Sequence, residues 1–126
     1  MPFSDFHGNS EIVHRLRDMV ARKRLPQAVI LAGPPGSGKY TLALMLARAM
    51  NCLDRTVSDG LPDFCGKCSN CVRIAAAENL EARFAEAVEA RDALRETDKK
   101  ETRILIQTHP DVLVIPPDPP QMMIKV

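Results

Sequence analysis

Seven residues constrain this chain more than any others: Gly33-Pro34-Pro35-Gly36-Ser37-Gly38-Lys39 satisfies the pattern G-x-x-x-x-G-K. The apolar run Ala28-Val29-Ile30-Leu31-Ala32 precedes it and fits a buried parallel strand. Behind it, Leu42, Met45, Leu46 and Ala49 recur at helical spacing. Strand, glycine loop and helix in that order are the context in which the pattern cradles phosphate. The glycines let the backbone curl so that successive N–H groups point inward at phosphate oxygens. The helix N-terminus adds the positive end of its dipole, and Lys39 would reach the β- and γ-phosphates. The competing reading is a Gly/Pro turn that happens to contain a lysine. Spacing and flanking elements favour the loop, so Gly33, Pro34, Pro35, Gly36, Ser37, Gly38, Lys39, Tyr40 and Thr41 are the candidate nucleotide-binding residues.

One of these positions breaks the pattern. A Ser or Thr is expected after the lysine, because its hydroxyl ligates Mg²⁺; here Tyr40 stands there. A phenol oxygen lies several ångströms farther from the backbone and cannot take that site. Thr41 lies about 100° farther round the helix and points elsewhere. No apolar run followed by paired acids, the second Mg²⁺ element, occurs in the 126 residues. ATP is therefore a candidate ligand, the Mg²⁺ site is impaired, and the expectation is no hydrolysis by this chain itself, with no catalytic residue assigned.

The second constellation is Cys65-x2-Cys68-x2-Cys71, with Cys52 thirteen positions ahead. Short C-x-x-C hooks let two thiolates face one ion, and an outlying fourth closes a tetrahedron. Structural Zn²⁺ bound by Cys52, Cys65, Cys68 and Cys71 is the favoured reading. A closed four-sulfur shell leaves no open position for a substrate. An iron–sulfur cluster is the sharp rival, but the ferredoxin pattern continues C-x3-C-P and no cysteine follows Cys71. Free buried thiols are the bland alternative. Turn formers around the cysteines (Asp59-Gly60, Pro62-Asp63, Gly66, Ser69-Asn70) predict an irregular knuckle over 52–71.

Elsewhere the chain reads as alternating helices and strands. Asn9 or Ser10 can cap a helix bearing Ile12, Val13, Leu16, Met19 and Val20, which ends before Pro26. The basic run Arg22-Lys23-Arg24 reads either as a solvated last turn complementing the helix dipole or as a phosphate contact. From Val72 to about Arg103 there is no Pro or Gly, and Leu80, Phe84, Val88 and Leu94 form a narrow apolar stripe. Eight acidic and six basic residues between Glu78 and Arg103 make the outer face of that helical arm highly charged. Asp111–Ile115 reads as a second buried strand, closed by Pro116-Pro117-Asp118-Pro119-Pro120. With 45% hydrophobic residues the chain can form one modest core. A net charge of +1 gives no electrostatic case for direct nucleic-acid binding. The absence of tryptophan and a single tyrosine argue against a base-stacking platform. No apolar run reaches the roughly 18–20 residues of a membrane span, and Met1-Pro2-Phe3-Ser4-Asp5 is no signal peptide. The expectation is a cytoplasmic protein with no membrane partner, where four cysteines more often hold metal than form disulfides.

Together, a G-x4-G-K loop, a helix ending near Asn51-Cys52 and C-x2-C-x2-C resemble the AAA+ module of bacterial DNA polymerase III clamp-loader subunits, the gamma/tau and delta-prime family. Phe6-His7-Gly8-Asn9 resembles the family's opening phrase. Leu25-Pro26-Gln27-Ala28 resembles its LPHA, with Gln27 for the usual His. His109-Pro110-Asp111-Val112 resembles its HPDV. The likeness covers residues 3–74 and 107–126, leaving about 76–106 as a helical insertion within a 1–126 N-terminal part of the AAA+ domain. The resemblance implies an α/β P-loop fold whose parallel sheet has the order 5-1-4-3-2. A chain holding only the first two strands, which are not neighbours, would form an incomplete sheet or complete it through another chain. It also implies partners: gamma/tau and delta subunits, the sliding clamp indirectly, and DNA through the complex. Delta-prime proteins are rigid stators with degraded loops, as Tyr40 suggests here; a gamma/tau-type motor is the alternative. A zinc-containing nucleotide kinase is a reading from another class, which phosphoryl transfer to a nucleoside monophosphate would support.

Overall fold

The computed structural model describes residues 3–95 and 105–116. Among the described residues four α-helices carry most of the regular structure: α1 (Ser10–Ala21), α2 (Lys39–Asn51), α3 (Ser69–Ala75) and α4 (Leu80–Asp92). The strands are short: β1 (Thr56–Ser58), β2 (Leu61–Asp63), β3 (Ile106–His109) and β4 (Val112–Val114). They form two separate antiparallel hairpins, β1–β2 and β3–β4. The chain divides into two compact units, Met1–Ala75 and Ala76–Val126. No helix among the described residues is long and apolar enough to cross a membrane.

In the first unit, α1 turns Val13, Leu16 and Val20 inward, and α2 contributes Leu42, Met45 and Ala49. Phe3, Phe64 and Cys71 complete the same cluster, with the two rings edge to face at 5.4 Å. Asn9 sits at the N-cap of α1, as its position in the sequence suggests, but with φ 50° and no capping bond from its side chain. Arg22, in the basic run, pairs with Asp18 at 3.2 Å across one exposed turn.

Arg17 is a feature that the hydrophobic pattern hides. It lies on the buried face of α1, in register with Val13 and Val20, and is only 6% exposed. Its Nε donates to the Pro62 carbonyl at 3.0 Å, and its Nη2 donates to Ser58 at 2.7 Å and Leu61 at 2.9 Å. One guanidinium thus closes three carbonyls of the β1–β2 hairpin and lies over the Phe3 ring. Asp63 answers from the other side, accepting the Phe3 and Phe64 N–H groups. Arg17→Met should cost about 2 kcal/mol, because it leaves partly buried acceptors without their donor while keeping the aliphatic stem. A denaturant midpoint equal to that of the native chain would refute this.

In the second unit, β3 and β4 meet through Pro110-Asp111, with a register irregularity between Ile106 and His109. His109 is buried, and its Nδ1 accepts the Asp111 N–H at 3.1 Å, which fixes the ring across the turn. Asn79 caps α4 by accepting the Ala82 N–H at 3.2 Å. Leu80, Phe84 and Val88 are half-buried and none of α4 is fully buried, whereas Leu94 lies beyond the end of the helix and is 40% exposed.

Several expectations need correction. Residues 28–32 are not a strand: Val29 is 43% exposed and Ile30 is 90% exposed. An apolar run becomes a strand only where a neighbour pairs with it, and none does among the described residues. Val112–Val114 is a strand, but its partner is the antiparallel β3 rather than a parallel sheet. The predicted parallel P-loop sheet is therefore not formed among the described residues. The knuckle of 52–71 also contains a regular hairpin, and Ile106 opens a strand where the helical arm was expected to end. Residues 96–104 of that arm and 117–126 of the proline-rich and apolar tail lie outside the described residues.

Candidate phosphate loop and metal centre

Residues 33–38 turn tightly and deliver the chain into α2 at Lys39. Gly36 and Gly38 adopt φ +80° and +87°, in the left-handed region that glycine enters without steric cost. Gly38 is the N-cap of α2, and its carbonyl accepts the Leu42 N–H at 2.9 Å. A Cβ there would lie 2.9 Å from the Phe6 ring. Gly38→Ala therefore combines backbone strain with a clash. It should destabilise the first unit by about 1–3 kcal/mol, read as a lower unfolding midpoint.

The Lys39 ammonium folds back over the loop. Its Nζ donates to the Gly33 carbonyl at 2.6 Å and to the Pro34 carbonyl at 2.9 Å. The loop borders a cleft of about 420 Å³ whose lining includes Gly33, Pro34, Ser37, Gly38 and Lys39. That size is within the range of small-molecule sites. The Ser37 hydroxyl is buried without a hydrogen-bond partner. Phe6, Asn9, Ile12, Ile30, Leu31 and Leu42 supply the rest of the wall with Ala32. Sequence reasoning did not name these as site residues. The Phe6–Asn9 phrase was the one available signal. Of the nine candidates, Pro35, Gly36, Tyr40 and Thr41 do not line the cleft; Tyr40 and Thr41 are half-buried on the first turn of α2.

All four cysteines converge. Their sulfurs lie within 4.8 Å of one another, and those of Cys52 and Cys68 are 4.0 Å apart. A tetrahedron of thiolates around zinc has sulfur–sulfur edges of about 3.8 Å, given Zn–S bonds of about 2.3 Å. The group needs only a slight contraction to close on an ion. Backbone N–H groups already point at the sulfurs, as thiolates require. Cys65 N–H donates to Cys52 Sγ at 3.3 Å, Cys68 N–H to Cys65 Sγ at 3.2 Å, and Cys71 N–H to Cys68 Sγ at 3.4 Å. No disulfide joins them. Burial pushes the Cys71 and Cys52 thiols up; backbone hydrogen bonds oppose it, while at Cys71 the side-chain bonds with Cys68 and Cys52 add to the rise. At Cys68 burial also acts upward, but hydrogen bonds from the backbone and from Cys71 and Cys65 outweigh it and bring the thiol down to about 6. A donor set of four sulfurs suits Zn²⁺, with no open coordination position for catalysis.

The described residues thus place a glycine loop at one end of α2 and a four-sulfur knuckle at the other. The chain belongs to the DNA polymerase III, delta subunit family, whose profile matches residues 8–126. It is 40% identical over 70 residues to Protein STICHEL-like 3 of Arabidopsis thaliana, covering 56% of this chain and 6% of that protein. It is 35% identical over 72 residues to DNA polymerase III subunit gamma/tau of Mycoplasma pneumoniae, covering 57% and 10%. It is 31% identical over 104 residues to DNA polymerase III subunit tau of Escherichia coli, covering 82% of this chain and 15% of that subunit. The chain thus spans a small part of the length of these relatives. No solved structure gives a significant match. The family assignment gives no support to the nucleotide-kinase reading.

Proposed function

We propose that the chain serves as a delta-prime-type subunit of a DNA polymerase III clamp loader: a stator that holds nucleotide without hydrolysing it. In this reading residues 1–126 are the opening part of an AAA+ domain. Residues 52–71 form a four-cysteine zinc module, and residues about 76–106 are a helical insertion. Its partners are the gamma/tau and delta subunits, with the sliding clamp and primed DNA reached through the complex, in the cytoplasm. The observation that carries the reading is Tyr40, which stands directly after Lys39 where a magnesium-holding hydroxyl is needed. Gly33, Pro34, Ser37, Gly38 and Lys39 would hold the phosphates. Lys39 would exchange its bonds to the loop carbonyls for bonds to phosphate oxygens, and the α2 N-terminus would face the anion.

A second reading has support of its own. Several relatives are named gamma, tau or gamma/tau subunits, which favours an ATP-hydrolysing motor. Turnover of ATP by the full-length protein, compared with its Tyr40→Thr variant, separates the two. A stator shows turnover at background level, with gain only in the variant. Equal, Mg²⁺-dependent turnover by both overturns the stator.

Cys52, Cys65, Cys68 and Cys71 would hold structural Zn²⁺, which supplies a tetrahedral cross-link and no chemistry on substrate. A pH dependence follows. In the metal-free chain burial keeps Cys52 and Cys71 protonated at neutral pH, and metal must displace both protons. Zinc affinity should therefore fall by about a hundredfold or more per pH unit between about pH 8 and about pH 6. It should fall more steeply still below about 6, where Cys68 also takes up a proton. Competition titration with a chromophoric chelator measures this, and a flat profile contradicts the thiolate ligand set.

A further inference from the structure

We infer that the cysteine module controls the phosphate loop through the C-terminal turn of α2, with Asn70 and Arg55 as positioning residues, so that metal and nucleotide binding are coupled. The inference rests on the nucleotide and zinc sites proposed above. A helix leaves its last four carbonyls without intrahelical partners. In α2 three of them are satisfied by side chains of the cysteine module. Asn70 Nδ2 donates to the Asn51 carbonyl at 2.7 Å, Arg55 Nε to Ala49 at 2.9 Å, and Arg55 Nη2 to Met50 at 3.2 Å. Asn70 lies between Cys68 and Cys71, and Arg55 lies three residues after Cys52. Cys52 itself is the C-cap of α2. The metal ligands therefore fix both donors.

The other end of α2 is the loop. Gly38 caps it and Lys39 is its first residue. The helix is one rigid rod of about 20 Å between the two sites, at 1.5 Å per residue. Its buried face also links them. Cys71, fully buried, packs in the same cluster as Leu42, Met45 and Ala49 of α2. With the four sulfurs held by an ion, the knuckle pins the C-terminal turn and the core face of α2. The loop then meets phosphate pre-ordered. Without the ion, the knuckle relaxes, three carbonyls lose their donors, and phosphate binding must order the helix as well.

The test uses full-length protein and the fluorescent analogue mant-ADP without Mg²⁺. Protein loaded with zinc is compared with protein stripped and kept in chelator. Stripping should weaken mant-ADP binding about tenfold and speed amide exchange across Gly36–Leu42 in the absence of nucleotide. Asn70→Asp keeps the side-chain shape, loses the donor and places a carboxylate at a helix C-terminus. It should still hold one zinc per chain, yet bind mant-ADP about tenfold more weakly, and stripping it should add little further loss. That loss of zinc dependence is a signature that mere destabilisation does not give. If Asn70→Asp folds poorly, Arg55→Met is judged by the same criteria. Affinities within about twofold across loaded, stripped and variant protein overturn the coupling while leaving both sites standing. A native protein that retains no zinc, or that binds no mant-ADP when loaded, overturns the underlying site assignments and the coupling with them.

Discussion

Cys71→Ser should cost the first unit on the order of 4 kcal/mol or more and abolish stoichiometric zinc binding. Cys71 is completely buried and belongs to the same apolar cluster as Phe3, Met45 and Phe64. A serine there would be a poor zinc ligand and would leave a hydroxyl among apolar side chains. Two losses then add. The metal no longer favours the folded state by mass action, and the knuckle no longer holds Phe64 against Phe3. Cys65→Ser removes a ligand at a half-exposed position, so its cost should be smaller although metal is lost equally. Zinc content per chain and a denaturant titration measure both effects. A Cys71→Ser protein that unfolds at the native midpoint, or a native protein free of zinc after dialysis, would show that the cysteines are ordinary core thiols. A brown protein absorbing in the visible would instead indicate an iron–sulfur cluster.

The second large effect is on ligand affinity, with the fold left intact. Lys39→Ala should weaken nucleotide binding by about a hundredfold or more. Hydrogen bonds to a charged group contribute about 1.5–3 kcal/mol each, and a hundredfold is about 2.7 kcal/mol. The cost to stability should stay under about 1 kcal/mol. The two carbonyls that Lys39 now engages, Gly33 and Pro34, are exposed and water can replace the ammonium. Equilibrium binding of a fluorescent nucleotide, with circular dichroism as a check on folding, reads both quantities. Unchanged affinity would mean that the ammonium serves the loop's own carbonyls and never reaches phosphate.

The glycine turn and the cysteine cluster were legible in the sequence for different reasons. The loop is local: glycines at fixed offsets, one lysine and the start of a helical pattern lie within a dozen residues, so short-range geometry determines the turn. The cysteine cluster is nearly local, and the C-x-x-C hooks bring three sulfurs together before the rest of the chain is considered. What escaped the sequence was mostly non-local. Arg17 reads as a charge on an amphipathic helix; only the hairpin 41 to 45 residues away turns it into a buried clamp. The role of Asn70 and Arg55 on the last turn of α2 was equally hidden, because a cap of this kind is defined by the helix it reaches and not by its own neighbours.

The strands divide along the same line. Ala28–Ala32 has the composition of a buried strand, and Val112–Val114 has too, but composition does not choose a partner. For Val112–Val114 the two-residue turn Pro110-Asp111 supplies an antiparallel partner at once, so a hairpin forms. For 28–32 no neighbour is present among the described residues, and Ile30 stands in solvent. The sequence by itself determined the loop, the cysteine hooks, the helices and the substitution at Tyr40, since each depends on spacing along the chain. Only the tertiary structure decided which strands pair, where Arg17 points and how the far end of α2 is held. Those outcomes depend on which distant groups arrive within hydrogen-bonding range, and no local pattern encodes that.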